Sequence, residues 1–343
     1  MNICLATYQS VLLLKGGPRT QILQTKRCLE HRGVDVSLFD SWQEFSREKI
    51  DLVHIFGANI GTYHLAREIM KLDVPLVVTP IFFTRHTFPF LRLTVGVNGF
   101  LRRFANGIWT DYSIVQEICG WAKAVLPNTR REGDLLVRGL GMKESLISVV
   151  PNGVDERFAS ADSSLFSKTY GVKDFVLNVG HIGPHRKNVL NLIKALEQIN
   201  VPSVIIGRIE NNEYGKECLA RARKNPRLTI IASLPNDSEL LASAYAACDV
   251  FVLPSLYETP GIAALEAALA GAKIVITKNG GTEEYFGADA EYVDPSSVEL
   301  IHHGITTALN KDKNDILRTR VGEKYLWSAV AEKYHSIYER LLR

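Results

Sequence analysis

Glu258 and Glu266 stand on either side of Thr259-Pro260-Gly261 in an E-x7-E spacing, and their surroundings could bind a polyol and a phosphate together. Glu258 follows the apolar run Asp249-Val250-Phe251-Val252-Leu253, which reads as a buried strand. Glu266 lies in the alanine-rich helix that begins after Gly261. Proline suits a first helical position and glycine lets a ligand approach the backbone. The amides of Gly261, Ile262 and Ala263 are then left without an intrahelical acceptor. Three such donors at the positive end of a helix dipole suit a phosphate. Glu266, about one and a half turns along the helix, could accept hydrogen bonds from a ribose, and Glu258 could face hydroxyls beyond the phosphate. A polyol, a phosphate and a sugar in a row describe a nucleotide sugar.

The whole string from Pro254 to Gly271 resembles the donor-site signature of the family 4 retaining glycosyltransferases. That resemblance extends over nearly all of the chain and implies the GT-B fold. The family's usual E-G-F-G is Glu258-Thr259-Pro260-Gly261 here, which keeps the carboxylate. A second segment, Asn178 to Asn188, reads as a strand, a glycine-rich loop and a basic pair opening a helix; it is similar to the family's R-K-N. By that resemblance Arg186 and Lys187 hold the diphosphate and stabilise the charge that develops on the departing nucleotide, so no metal and no cofactor is expected. His181 stands where a second arginine is usual, and Arg186 replaces its charge. Together with Glu258 these two cations form the expected catalytic group.

The same resemblance implies further donor contacts. Arg208, after Ile206-Gly207, and Leu234, within Ala232 to Asn236, would lie on the donor rim, the base being received by backbone near Leu234. Lys278 to Glu284 resembles G-G-x-x-E at the back of the donor pocket, although a plain helix-capping turn explains its glycines nearly as well. In Lys15-Gly16-Gly17-Pro18-Arg19, Gly16 and Gly17 would close over the donor phosphates from the other domain. Many relatives carry a histidine where this chain reads Thr79-Pro80-Ile81-Phe82. His54 and His86 remain as residues that could orient an acceptor or move its proton, against the plainer reading of a hydrogen-bonded core histidine. The departing phosphate oxygen is the expected proton acceptor. No cluster of His, Asp or Glu has metal-ligand spacing.

These residues need a scaffold, and the pattern of elements supplies one. Apolar runs at Ile3–Thr7, Val34–Phe39, Leu52–Ile55, Leu76–Thr79, Ala124–Leu126 and Ile147–Val150 alternate with helix-like stretches, and the alternation restarts at Phe175–Val179, Ser203–Ile206, Leu228–Ile231, Val250–Leu253 and Lys273–Ile276. An α/β protein follows, with two doubly wound, Rossmann-like parallel-sheet domains facing a central cleft. The joint at Pro151-Asn152-Gly153 and the returning last helix, implied by the GT-B resemblance, divide the chain into residues 1–155 plus 326–343, for the acceptor, and 156–325, for the donor.

Composition agrees with two such domains. The chain has 343 residues, 46% of them hydrophobic and 22% charged, more than one core usually holds. A net charge of +3 is too small to suggest nucleic acid. Nothing approaches the ~18 apolar residues of a membrane span, and Met1-Asn2-Ile3-Cys4 does not read as a secretory signal. Five cysteines at irregular spacing suggest free thiols in a reducing cytoplasm.

From Ile81 to Trp109, aromatic residues alternate with Arg85, Arg92, Arg102 and Arg103 and no acidic residue intervenes. Two readings stand: helices packing the aromatics inward and showing arginines to water, or a face that meets an anionic membrane and a lipid-linked acceptor. Taken together, the chain reads as a transferase moving a sugar from a UDP- or GDP-sugar to a glycan or glycolipid acceptor. A catalytically silent GT-B protein that binds glycans or supports a partner is the alternative. A nicotinamide-dependent dehydrogenase would need G-x-G-x-x-G after the first strand, where Tyr8-Gln9-Ser10 stands instead.

Overall fold

A computed structural model of the chain describes residues 1–13, 16–105 and 107–343. The chain divides into two units, Met1–Asn152 with Trp327–Arg343, and Gly153–Leu326. The divisions fall at 152/153 and 326/327, where the sequence suggests 155/156 and 325/326.

In the first unit β1 (Asn2–Thr7), β2 (Asp35–Leu38), β3 (Leu52–Phe56), β4 (Leu76–Thr79) and β5 (Ala124–Val125) pair in parallel in the order β2-β1-β3-β4-β5. β3 and β4 are buried at every position, as strands covered on both faces must be. The sixth strand expected at Ile147–Val150 does not form. A single bridge joins Ile147 to Val125, and Ser148 N–H donates to the Val125 carbonyl at 3.0 Å. β5 is only two residues long and offers too little ladder for a further strand. The last helix, Trp327–Leu342, belongs to this unit and buries Trp327, Val330, Ala331, Tyr334, Ile337 and Tyr338 at helical spacing.

The second unit pairs β6 (Val176–Val179), β7 (Ser203–Ile206), β8 (Leu228–Ile231), β9 (Val250–Leu253), β10 (Lys273–Thr277) and β11 (Ala290–Val293) in parallel, in the order β11-β10-β9-β6-β7-β8. Successive side chains of a strand leave opposite faces. Accordingly Leu177, Phe251, Leu253, Ile274 and Ile276 enter one apolar core, whereas Val176, Val250, Val252 and Val275 enter another. The sequence reading missed β11: Ala-Glu-Tyr-Val buries only its last residue, and pairing to β10 makes it a strand.

Both sheets contain a point where strand order reverses. In the first unit the chain steps from β1 to β2 and returns to place β3 on the other side of β1; in the second it steps from β6 through β7 and β8 and returns to place β9 beside β6. Loops leaving the carboxyl ends of two such strands diverge and open a crevice, which is where parallel sheets receive ligands.

One region departs from the plainer reading of its sequence. Phe82 is buried, but Phe90, Phe100, Phe104 and Trp109 are exposed rather than packed inward.

Candidate active site

β6 and β9 pair only at Val176–Val250 and Leu177–Phe251 before they part. The Asn178 side chain spans the opening and donates to the Val252 carbonyl at 2.6 Å. Beyond it the loop after β6 lies against the loop after β7, with Gly180 N–H donating to the Ile206 carbonyl at 2.9 Å. A Cβ at Gly207 would lie 1.8 Å from the Gly180 carbonyl oxygen, so only glycine allows this approach.

The loop ends in the short turn His185–Lys187 and then Asn188, whose φ is +55°. Asn188 is buried and donates to the carbonyls of Pro254, at 2.9 Å, and Pro295, at 2.7 Å. These bonds tie the basic pair to the segment after β9. Leu256 N–H also donates to the Arg186 carbonyl at 2.8 Å.

Lys187 Nζ lies 2.6 Å from Glu258 Oε1, and the Arg186 guanidinium donates to the same oxygen at 3.3 Å and to the Tyr257 carbonyl at 3.1 Å. Glu258 is buried, Lys187 partly so and Arg186 more exposed. Burial opposes the charge on Glu258, but Lys187 and then Arg186 outweigh it and hold the carboxyl below its ordinary range. Burial likewise pulls the Lys187 ammonium down while Glu258 opposes. Glu258 was expected to face sugar hydroxyls; in the structure one of its oxygens is engaged by the two cations.

The backbone around Glu258 is clamped. Its N–H donates to the Asn279 carbonyl and its carbonyl accepts from Gly281 N–H, both at 3.1 Å. Gly280 has φ +110°, and a Cβ there would lie 1.9 Å from the Glu258 carbonyl oxygen. The Lys278–Glu284 segment therefore supports the Glu258 loop from behind.

Gly261 follows the cis Thr259–Pro260 bond with φ +87° and opens the helix Ile262–Leu269. A Cβ there would meet Leu253 Cδ2 at 2.8 Å and Glu258 Cγ at 3.6 Å, so the helix start lies directly against Glu258. No side chain caps this helix, and the amides of Gly261, Ile262 and Ala263 have no acceptor among the described residues. Two cations and a row of uncapped amides thus converge at the switch point of the second sheet, an arrangement suited to a phosphorylated anion.

Glu266, further along the same helix, is buried and accepts a hydrogen bond from Tyr245 at 2.8 Å. Burial raises its carboxyl to about 7, against the lowering effect of the Tyr245 bond and of Arg157. Arg208 is exposed beside the same loops, its carbonyl accepting from Ile182 N–H at 2.8 Å. Leu234 packs partly against the core that holds Tyr245 and Leu253. Tyr245, Asn178 and Asn188 were not singled out as site residues from sequence. A polar residue between apolar neighbours, as in Val176-Leu177-Asn178-Val179, is the signal that could have found Asn178.

The first-unit candidates separate. His54 is fully buried; its Nδ1 lies 2.6 Å from the Tyr338 hydroxyl and its Nε2 2.9 Å from Thr79 Oγ1. Burial lowers its pKa to about 3, so it is a neutral core histidine and does not exchange protons with a substrate. His86 is exposed and stacks on Phe90, with ring centroids 4.2 Å apart. Gly16 caps the helix Gly17–Glu30 in an extended conformation, φ −152°, with nothing within 4 Å of a Cβ, so neither strain nor contact within the chain requires glycine there. Lys15 lies outside the described residues.

The second unit is a doubly wound parallel-sheet domain whose switch point carries two cations, a buried carboxylate and an uncapped helix start. The Glycosyl transferases group 1 family model matches residues 165–325, and the Glycosyltransferase Family 4 model matches residues 36–158. The chain belongs to the glycosyltransferases of this type, and its fold is GT-B. It is 27% identical over 311 residues to the sulfoquinovosyl transferase of Arabidopsis thaliana, covering 84% of this chain and 56% of that one. The chain spans a little over half the length of the first curated relatives it matches. Sucrose-phosphate synthase from Thermosynechococcus elongatus superimposes with a TM-score of 0.76 at 17% identity over 99% of each chain. The Anabaena protein Alr3699/HepE, solved in complex with UDP and with UDP-glucose, gives TM-scores of 0.71 and 0.67 at 16% and 17% identity, covering 99% of this chain and 100% of that one.

Proposed function

We propose that this chain is a retaining, metal-independent glycosyltransferase that moves a hexose from a UDP- or GDP-sugar to a glycan or glycolipid acceptor, at the cytoplasmic face of a membrane. The observation that carries the proposal is the meeting of Arg186, Lys187 and Glu258 beside the uncapped amides of Gly261, Ile262 and Ala263. The complexes of the Anabaena protein with UDP and UDP-glucose support a nucleotide-sugar donor.

In this reading the helix start and the two cations receive the diphosphate, with Arg208, and Gly16 and Gly17 of the first unit, as further donor contacts. Glu266 accepts from the ribose and backbone near Leu234 receives the base. The bond from the anomeric carbon to the phosphate oxygen breaks with its electron pair going to phosphate. A new bond to the acceptor oxygen forms on the same face of the sugar, and the acceptor proton passes to the departing phosphate. Arg186 and Lys187 stabilise the charge left on the nucleotide and occupy the role a cation would otherwise serve, so neither a metal nor a cofactor is required. Glu258 keeps those cations fixed beside the helix start. His86 is then the remaining histidine for orienting an acceptor.

A panel of nucleotide sugars, read by thermal shift and by slow donor hydrolysis, tests the proposal. One responder, with nucleoside diphosphate released, is expected. Absence of a shift with every donor would favour a catalytically silent glycan-binding or partner-supporting protein.

A further inference from the structure

The helix Phe88–Leu101 turns its apolar side outward. Leu91 and Asn98 are its buried residues. Phe90, Leu93, Val97, Phe100 and Leu101 are exposed by 41–66%, and Phe104, just past the helix end, by 76%. Steps of three and four residues place these side chains in one stripe. Trp109, 47% exposed, follows. No aspartate or glutamate occurs from residue 74 to residue 110. The stripe is flanked by Arg85 and Arg103, whose side chains have no partner among the described residues. Arg92 and Arg102 have partners within the chain, the first donating to the Arg138 carbonyl at 2.7 Å and the second paired with Glu117.

We propose that this face docks the chain on an anionic bilayer, with Phe88–Leu101 lying in the plane of the surface, its stripe among the upper acyl chains, and Arg85 and Arg103 on lipid phosphates. The helix has 14 residues and no helix among the described residues is long and apolar enough to cross a membrane. The free charges are of one sign, which complements a sheet of anionic headgroups. A second copy docked about a two-fold axis would instead bring the same cationic segment onto itself with no carboxylate of that segment to receive it. The inference deepens the transferase reading in one respect, by making the acceptor a lipid-borne glycan. The docking itself needs no donor.

Sedimentation of the full chain with vesicles tests it. Equimolar phosphatidylglycerol and phosphatidylcholine should retain the protein at low salt, and pure phosphatidylcholine should retain far less. Leu93→Glu with Phe100→Glu should weaken retention about tenfold or more, and Arg85→Glu with Arg103→Glu about tenfold, with a shallower salt dependence. Circular dichroism and the thermal shift with UDP should be unchanged in both variants. Wild-type protein that stays in the supernatant with either vesicle, or variants that bind as tightly as wild type, would overturn the docking. So would light scattering showing a wild-type dimer that Leu93→Glu with Phe100→Glu dissociates while vesicle retention persists. A chain that binds vesicles but no nucleotide would sink the transferase reading and leave the docking standing; binding nucleotide but no vesicle would do the reverse.

Discussion

The two units place different kinds of residue at the carboxyl ends of their strands, although both contain a close glycine approach, that of the first being Gly61 against Tyr8. In the second, the loops after β6, β7, β9 and β10 are polar and pressed together: Glu258 is buried against two cations, and Gly207, Gly261 and Gly280 each stand where a Cβ would come within 3 Å of a neighbouring atom. In the first, the loops after β1, β2 and β3 carry exposed Leu12, Leu13, Trp42 and Ile60, and Gly16 has open space around it. A fixed charge must be held by many short contacts, because a buried carboxylate that drifts from its cations loses most of its stabilisation. Apolar residues have no such directional demand.

The largest expected effect falls on the crowded side. Lys187→Ala should cut donor turnover by about 10²–10³-fold, and Arg186→Ala by about 10²-fold, with the fold retained. Unimpaired transfer by the Arg186 variant would remove that residue from the site and blur the contrast between the units.

The glycines test the same contrast in stability. Gly280→Ala meets a carbonyl oxygen at 1.9 Å and a left-handed φ, and should cost about 2–3 kcal/mol in urea unfolding. Gly16→Ala should change stability by less than about 0.5 kcal/mol. Equal costs would mean that the two loops are equally constrained.

Titration separates the two buried acid-base groups. His54 has a folded pKa of about 3 against an ordinary 6.5, so the unfolded chain binds more protons between those values and stability falls as pH drops through that window. His54→Gln should flatten the stability-against-pH curve there; an unchanged slope would mean that His54 is not held neutral. Glu266 behaves oppositely, its folded pKa of about 7 lying above an ordinary 4.5. The folded state binds more protons in that interval, so stability falls as pH rises through it. Glu266→Gln should therefore gain in melting temperature over wild type from acid to neutral pH, while binding UDP more weakly if a ribose is its partner. A melting-temperature difference independent of pH would show that burial does not raise Glu266.

Much of the scaffold was legible because buried parallel strands are continuous apolar runs: Leu52–Phe56 and Val250–Leu253 need no partner to be recognised. β11 was not, since Ala290–Val293 becomes a strand only by pairing to β10. Conversely Ile147–Val150 has the composition of a strand but finds too little of β5 to pair with. Gly261 was legible as a turn glycine. The positive φ of Asn188 and its bonds to Pro254 and Pro295 were not, because those partners are distant in sequence.

From residue order alone follow the alternation of strands and helices and the two sheets, which rest on local periodicity, and the carboxylates and turn glycines proposed for a nucleotide sugar, which rest on turn chemistry. The basic pair was marked by its resemblance to a family motif. Only the tertiary structure decided that Lys187 meets Glu258 across 71 positions, that His54 is sealed between Tyr338 and Thr79, and that the stripe from Phe90 to Phe104 faces outward. Burial and long-range pairing depend on which surfaces the folded chain brings together, and side-chain type does not specify that in advance.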